Sequence, residues 1–208
     1  MENATQALRI AAGVLFAMLI LGLLVAFYNN MSELKRYEES QKAEEQVADF
    51  NKQYDVYVRT LYGSELLSLV NKADDYNKTE TYDGYQRLEV TVIFKNNIGG
   101  FKKNTTYNIS TITSIMKTLE SNIQSYGNKT YSGKTISQLA LMRTNELEDF
   151  FKVKKINSTK ITEIQGNIKN YTSYKSDEVT IKSKKYEFKS VEYDNTTGRI
   201  TKLSYKEL

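Results

Sequence analysis

The chain has 208 residues, 29 Lys and Arg against 25 Asp and Glu, and 16 Tyr, but no Cys, His, Pro or Trp. That length suits one ordinary domain plus an anchor. The missing residue types exclude thiol nucleophiles, disulfides, Cys/His zinc sites and the usual neutral-pH general base, so most enzyme mechanisms lose their central group. The chain therefore reads as non-enzymatic, with no catalytic, cofactor-binding or metal-binding residues expected.

Residues 1–9 form a short polar tail. From Ile10 to Tyr28 the chain reads IAAGVLFAMLILGLLVAFY without a charge. At 1.5 Å per residue such a run crosses a hydrocarbon core of about 30 Å, and in lipid its backbone must be helical. A transmembrane helix is predicted over 10–28. Phe27-Tyr28-Asn29-Asn30 follows in place of a small-x-small cleavage site, so the helix is expected to be retained as an anchor in the lipid bilayer. Tyr28 falls where an aromatic side chain sits at headgroup level. Gly13 and Ala17, and again Gly22 and Ala26, have the small-xxx-small spacing that lets a neighbouring helix backbone come close.

Counting cations near the span sets Arg9 before it against Lys35, Arg36 and Lys42 after it, which favours a cytoplasmic C-terminal domain. Long domains, however, translocate largely regardless of charge, and the short tail can stay inside with Arg9. The expectation is a single-pass membrane protein with its large C-terminal domain outside the cytoplasm.

Residues 29–62 are predicted to be an amphipathic stem helix. Ser32 to Leu61 contains no Gly or Pro, is rich in Glu, Lys and Gln, and places Leu34, Tyr37, Val47, Phe50, Tyr54, Val58 and Leu61 at roughly helical spacing. Gly63 reads as its stop and Ser64 as the cap of a second helix ending near Asn71 to Asn77.

Residues 63–208 form the head. Leu88 to Lys95 alternates as a strand, and Asn96-Asn97-Ile98-Gly99-Gly100 supplies turn residues before a second extended stretch from Phe101. A short helix is predicted over Thr111 to Ser121, and Ile136 to Phe150 suggests another. Strands are predicted at Val179-Thr180-Ile181, from Tyr186 to Tyr193 and, after an Asp194 to Gly198 turn, from Arg199 to Tyr205. The fold class expected is α+β, with a mainly antiparallel sheet covered by short helices.

Several stretches come close to known motifs without matching them. GNKTYSGKT at 127–135 resembles a phosphate loop but has five residues between its glycines where that loop needs four. Asp74, Asp75, Asn77 and Glu80 cluster, as do Asp194 and Asn195, yet neither group follows the calcium-loop pattern and both read as turn chemistry. Asn-x-Ser/Thr triplets start at nine positions, Asn3, Asn30, Asn77, Asn104, Asn108, Asn128, Asn157, Asn170 and Asn195. In a bacterial source these signify only Asn and Thr richness. Interleaved Tyr and Lys in Tyr171 to Tyr205 reads as strands with one packed and one wet face, so no nucleic acid is expected as a partner. No small-molecule substrate is evident either.

Charge is segregated: Glu33 to Glu80 holds seven basic and eleven acidic residues, whereas from Phe151 onward there are thirteen basic and seven acidic.

A short polar N-terminus, one apolar helix running into an amphipathic stem and a β-rich head resembles the plan of type IV pilins and pseudopilins. The stretches ENATQALRIAAGVL, YGSELLSLVNKADDYN and EYDNTTGRITKL also resemble small membrane proteins of Gram-positive bacteria associated with tight-adherence pilus systems. The chain departs from the pilin pattern in having no Gly before the apolar run and no Glu just after its start. The resemblance implies a structural subunit of the cell envelope whose partners are other copies or pilus and secretion components. The alternative is a standalone anchored binding or sensor module.

Overall fold

A computed structural model describes residues 2–79 and 87–208. The chain divides into two compact units, residues 1–51 and 52–208. Glu80, part of the acidic cluster with Asp74, Asp75 and Asn77, lies outside the described residues.

Helix α1 runs Glu2–Asp55. No Pro interrupts it, and beyond Gly22 it contains no glycine, so nothing in the backbone chemistry ends it early. Within it, every residue from Ile10 to Tyr28 is exposed on all sides of the helix. A helix apolar all round cannot be at ease in water, and this is the one described helix long and apolar enough to cross a membrane.

The predicted stem helix is seven residues too long, since α1 stops at Asp55 and not at residue 62. The amides of Tyr57 and Val58 turn back onto the carbonyls of Tyr54 and Asp55, and the chain then enters strand β1, Leu61–Tyr62. Helical spacing continues through Val58 and Leu61 in the sequence. Pairing of Leu61 with Tyr186 across a sheet outweighs it.

In the second unit, α2 (Gly63–Thr79), α3 (Ile109–Gly127) and α6 (Ser158–Ser183) pack on one another and on a five-stranded sheet. The strands are β1, β2 (Glu89–Ile93), β3 (Thr106–Tyr107), β6 (Lys185–Tyr193) and β7 (Ile200–Glu207), in the order β1-β6-β7-β2-β3. Every neighbouring pair is antiparallel except β2 with β7, which are parallel. The fold is thus α+β with a mainly antiparallel sheet, but its covering helices are 17, 19 and 26 residues long and not short.

Strand alternation divides the sheet into two faces. Val90 and Val92 of β2, Leu203 and Tyr205 of β7 and Tyr186 of β6 are all buried. On the other face Thr91 and Ser204 join hydroxyls at 3.0 Å and Lys202 pairs with Glu192 at 3.0 Å. The predicted hairpin after Leu88 forms, with its return strand later than expected, at Thr106–Tyr107. Between the strands, Ile98 and Phe101 bridge across Gly99 and Gly100, whose positive φ values of 55° and 100° suit glycine. Phe101 is thereby stacked on Phe94, centroid to centroid 3.9 Å.

Val179-Thr180-Ile181, predicted as a strand, runs into the last turn of α6. Asn157 caps that helix by accepting the Lys160 N–H at 2.9 Å, and Ile181 is buried within the unit while Val179 is 55% exposed. A β-branched triplet is a weak local preference, and helical packing overrides it.

The remaining elements form a smaller assembly. A two-stranded hairpin, β4 (Thr130–Tyr131) and β5 (Lys134–Thr135), precedes α4 (Ile136–Leu139) and α5 (Thr144–Val153). The single helix suggested over Ile136 to Phe150 is therefore two helices. Here Ile136, Leu139, Phe150, Phe151 and Ile164 form a hydrophobic cluster of their own.

Candidate functional site

The residues that the sequence singles out lie on α1. Gly13, Ala17, Gly22, Ala26 and Tyr28 are all exposed, and Tyr28 is 75% so. At Gly13 and Gly22 a Cβ would meet no atom within 4 Å. The two small pairs do not form one stripe. Gly22 follows Gly13 by nine residues, which at 3.6 residues per turn places it about 180° around the helix. The two small pairs therefore lie on opposite sides of the apolar run.

In the second unit several polar side chains are held by internal partners. Asp74 pairs with Lys78 at 2.6 Å, and Asn77 takes both the N–H and the carbonyl of Leu88 at 2.8 Å, mimicking a strand neighbour. Asp194 accepts the amides of Thr196 and Thr197 and the Thr197 hydroxyl at 2.7 to 3.0 Å. Those donors, the Thr197 amide foremost, hold its carboxyl below the usual range. Among the described residues no three acidic side chains converge as a cation site would need.

The phosphate-loop-like stretch is the β4–β5 hairpin. Ser132 and Gly133 turn it with φ of 48° and 86°, and Thr135 and Gln138 close a capping box at the start of α4. Here the Thr135 amide donates to the Gln138 side chain and the Asn128 and Lys129 amides donate to carbonyls at the end of α3.

Asparagine richness likewise has structural outlets. Asn108 and Asn157 are N-caps of α3 and α6, Asn128 ends α3, and Asn104 holds a left-handed φ of 55°. Asn108 Oδ1 accepts from the Thr111 amide, the Thr111 hydroxyl and the Ser110 hydroxyl, so a Ser or Thr soon after Asn is useful to the cap itself.

Three buried polar residues escape the sequence reading: Glu207, Glu178 and Asn167. Glu207, only 2% exposed, receives the Lys95 amide at 2.7 Å, the Asn96 side chain at 3.2 Å and the Lys184 ammonium. Burial pushes its pKa up, but Lys184 and the two other donors outweigh this and hold it below the usual glutamate value. Strand alternation holds a signal for it, because 203, 205 and 207 share the core face. Glu178 accepts from Lys175 at 2.7 Å and Lys182 at 2.6 Å, and both hydrogen bonds lower its pKa.

Asn167 joins a longer chain of contacts. Its Oδ1 accepts from Lys129 Nζ at 3.1 Å and its Nδ2 donates to the Tyr131 hydroxyl at 2.8 Å, which donates to Glu163 at 2.7 Å. Lys160 completes it, 2.9 Å from Glu163 and over the Tyr131 ring at 5.2 Å. Desolvation and then Glu163 raise the Tyr131 pKa.

No protein family, no curated protein and no solved structure matches this chain.

Proposed function

We propose that the chain is a non-enzymatic, single-pass subunit of the cell envelope, built on the pilin-like plan, with its head outside the cytoplasm. The observation that carries this reading is the apolar run of α1, exposed around its whole circumference and free of charge from Ile10 to Tyr28. Lipid or the helices of neighbouring copies are the surroundings that suit such a surface. The two opposite small-residue faces support lateral packing, since a helix with close-approach sites on both sides can contact two neighbours at once. Caps, turns and ion pairs engage Asp74, Glu178, Asp194 and Glu207 of the head, which supports a structural role for them.

Photo-crosslinking in intact cells from a probe at position 13 and, separately, at position 22 tests this. Crosslinked multimers from both positions are expected. A product that remains monomeric from both would overturn assembly and leave the standalone module. Protease added to intact cells should digest the head, and a protected head would reverse the orientation.

A further inference from the structure

We propose that the small cluster around α4 and α5 opens as its own cooperative unit while the five-stranded sheet stays closed. The buried positions of α6 carry the argument. They are Ile164, Asn167, Glu178 and Ile181, apolar near each end and polar between. Ile164 belongs to the cluster of Ile136, Leu139, Phe150 and Phe151, whereas Ile181 packs beside Gly99. One helix therefore serves two cores separated by a polar seam.

Between Ile164 and Ile181 no apolar side chain of α6 is fully buried, and the seam is filled by hydrogen bonds together with the half-buried rings of Tyr126, Tyr171 and Tyr174. Tyr131 reaches Asn167 and Glu163, and Lys129 reaches Asn167 from the end of α3. Hydrogen bonds that water can replace contribute little net free energy, whereas burial of apolar surface is what makes a unit cooperative. Two cores joined by a replaceable seam are expected to open separately. Gly166 lies in this stretch of α6 with open space where its Cβ would be, so the helix carries glycine's conformational freedom there without a packing reason. Opening exposes Phe150 and Phe151 without disturbing any strand of the large sheet.

Hydrogen exchange of the full chain in detergent micelles, read by mass spectrometry at low urea, tests the proposal. Amides of α5 and of the first two turns of α6 are expected to exchange at least about tenfold faster than those of β2 and β7. Tyr131→Phe should speed exchange in α5 and leave β7 unchanged. Should that variant not fold, Gly166→Ala reads the same coupling in reverse, slowing α5 and the start of α6 alone. Exchange of α5 in step with β7 overturns the proposal, as does a folded variant that shifts both segments together or neither.

Discussion

A Cβ on Gly63 would lie 1.8 Å from the carbonyl oxygen of Ile181. The backbone at the start of α2 touches the backbone at the end of α6, and the Gly63 amide donates to Lys184 at 2.8 Å in the same place. Glycine, read from the sequence as a helix stop, is there because nothing larger fits between two main chains.

Gly63→Ala is expected to destabilise the second unit by about 3 kcal/mol, the upper range for overpacking, because the obstructing atom is backbone and cannot rotate away. Thermal unfolding followed by far-UV circular dichroism should show a midpoint lower by about 10 °C. Gly133→Ala provides the contrast: its cost comes from a left-handed φ of 86° in open space, with no obstruction, and should be about 1 kcal/mol.

Glu207 predicts a pH dependence. Its folded pKa lies below the ordinary glutamate value of 4.5, so the stability it contributes is present above pH 4.5 and is lost as pH falls through the folded value. At pH 7, Glu207→Gln should cost about 3 kcal/mol, because it weakens three hydrogen bonds and leaves the partly buried Lys184 without its counter-charge. Urea midpoints of the two proteins should converge as pH is taken below 4.5. A gap that stays constant down to pH 3 would show that the charge of Glu207 is not what matters.

The caps offer a smaller, separable effect. Asn157→Ala removes the acceptor for the Lys160 amide and should cost about 1 kcal/mol, while Asn157→Asp should be close to neutral. Urea denaturation at neutral pH distinguishes the two, and equal losses would mean that the cap contributes little.

Placing Arg at both Leu19 and Leu21 puts two charges near the centre of the apolar run, at a cost of about 3 kcal/mol each for insertion. After detergent-free lysis and ultracentrifugation, the double variant should leave the membrane pellet in which the parent chain remains. Parent chain in the supernatant would remove the basis of the anchor reading.

The long apolar helix, the strands at β2, β6 and β7, the turn at Asp194 and the helices at α2 and α3 are legible in the sequence, because each rests on a local period, a cap or a turn residue. The absence of Cys and His also restricts the chemistry before any fold is known. What only tertiary structure decides is how distant segments are used. Ile181 is helical because it fills space beside Gly63 and Gly99. Leu61 leaves the helical pattern to pair with Tyr186, and β7 runs parallel to β2 through partners more than a hundred residues apart. Glu207 is buried because Lys95 and Asn96 converge on it from one part of the chain and Lys184 from another. Local preferences differ by less than about 1 kcal/mol per residue, whereas burying one large side chain or pairing one buried charge is worth several times that, so wherever the two conflict the long-range contact prevails.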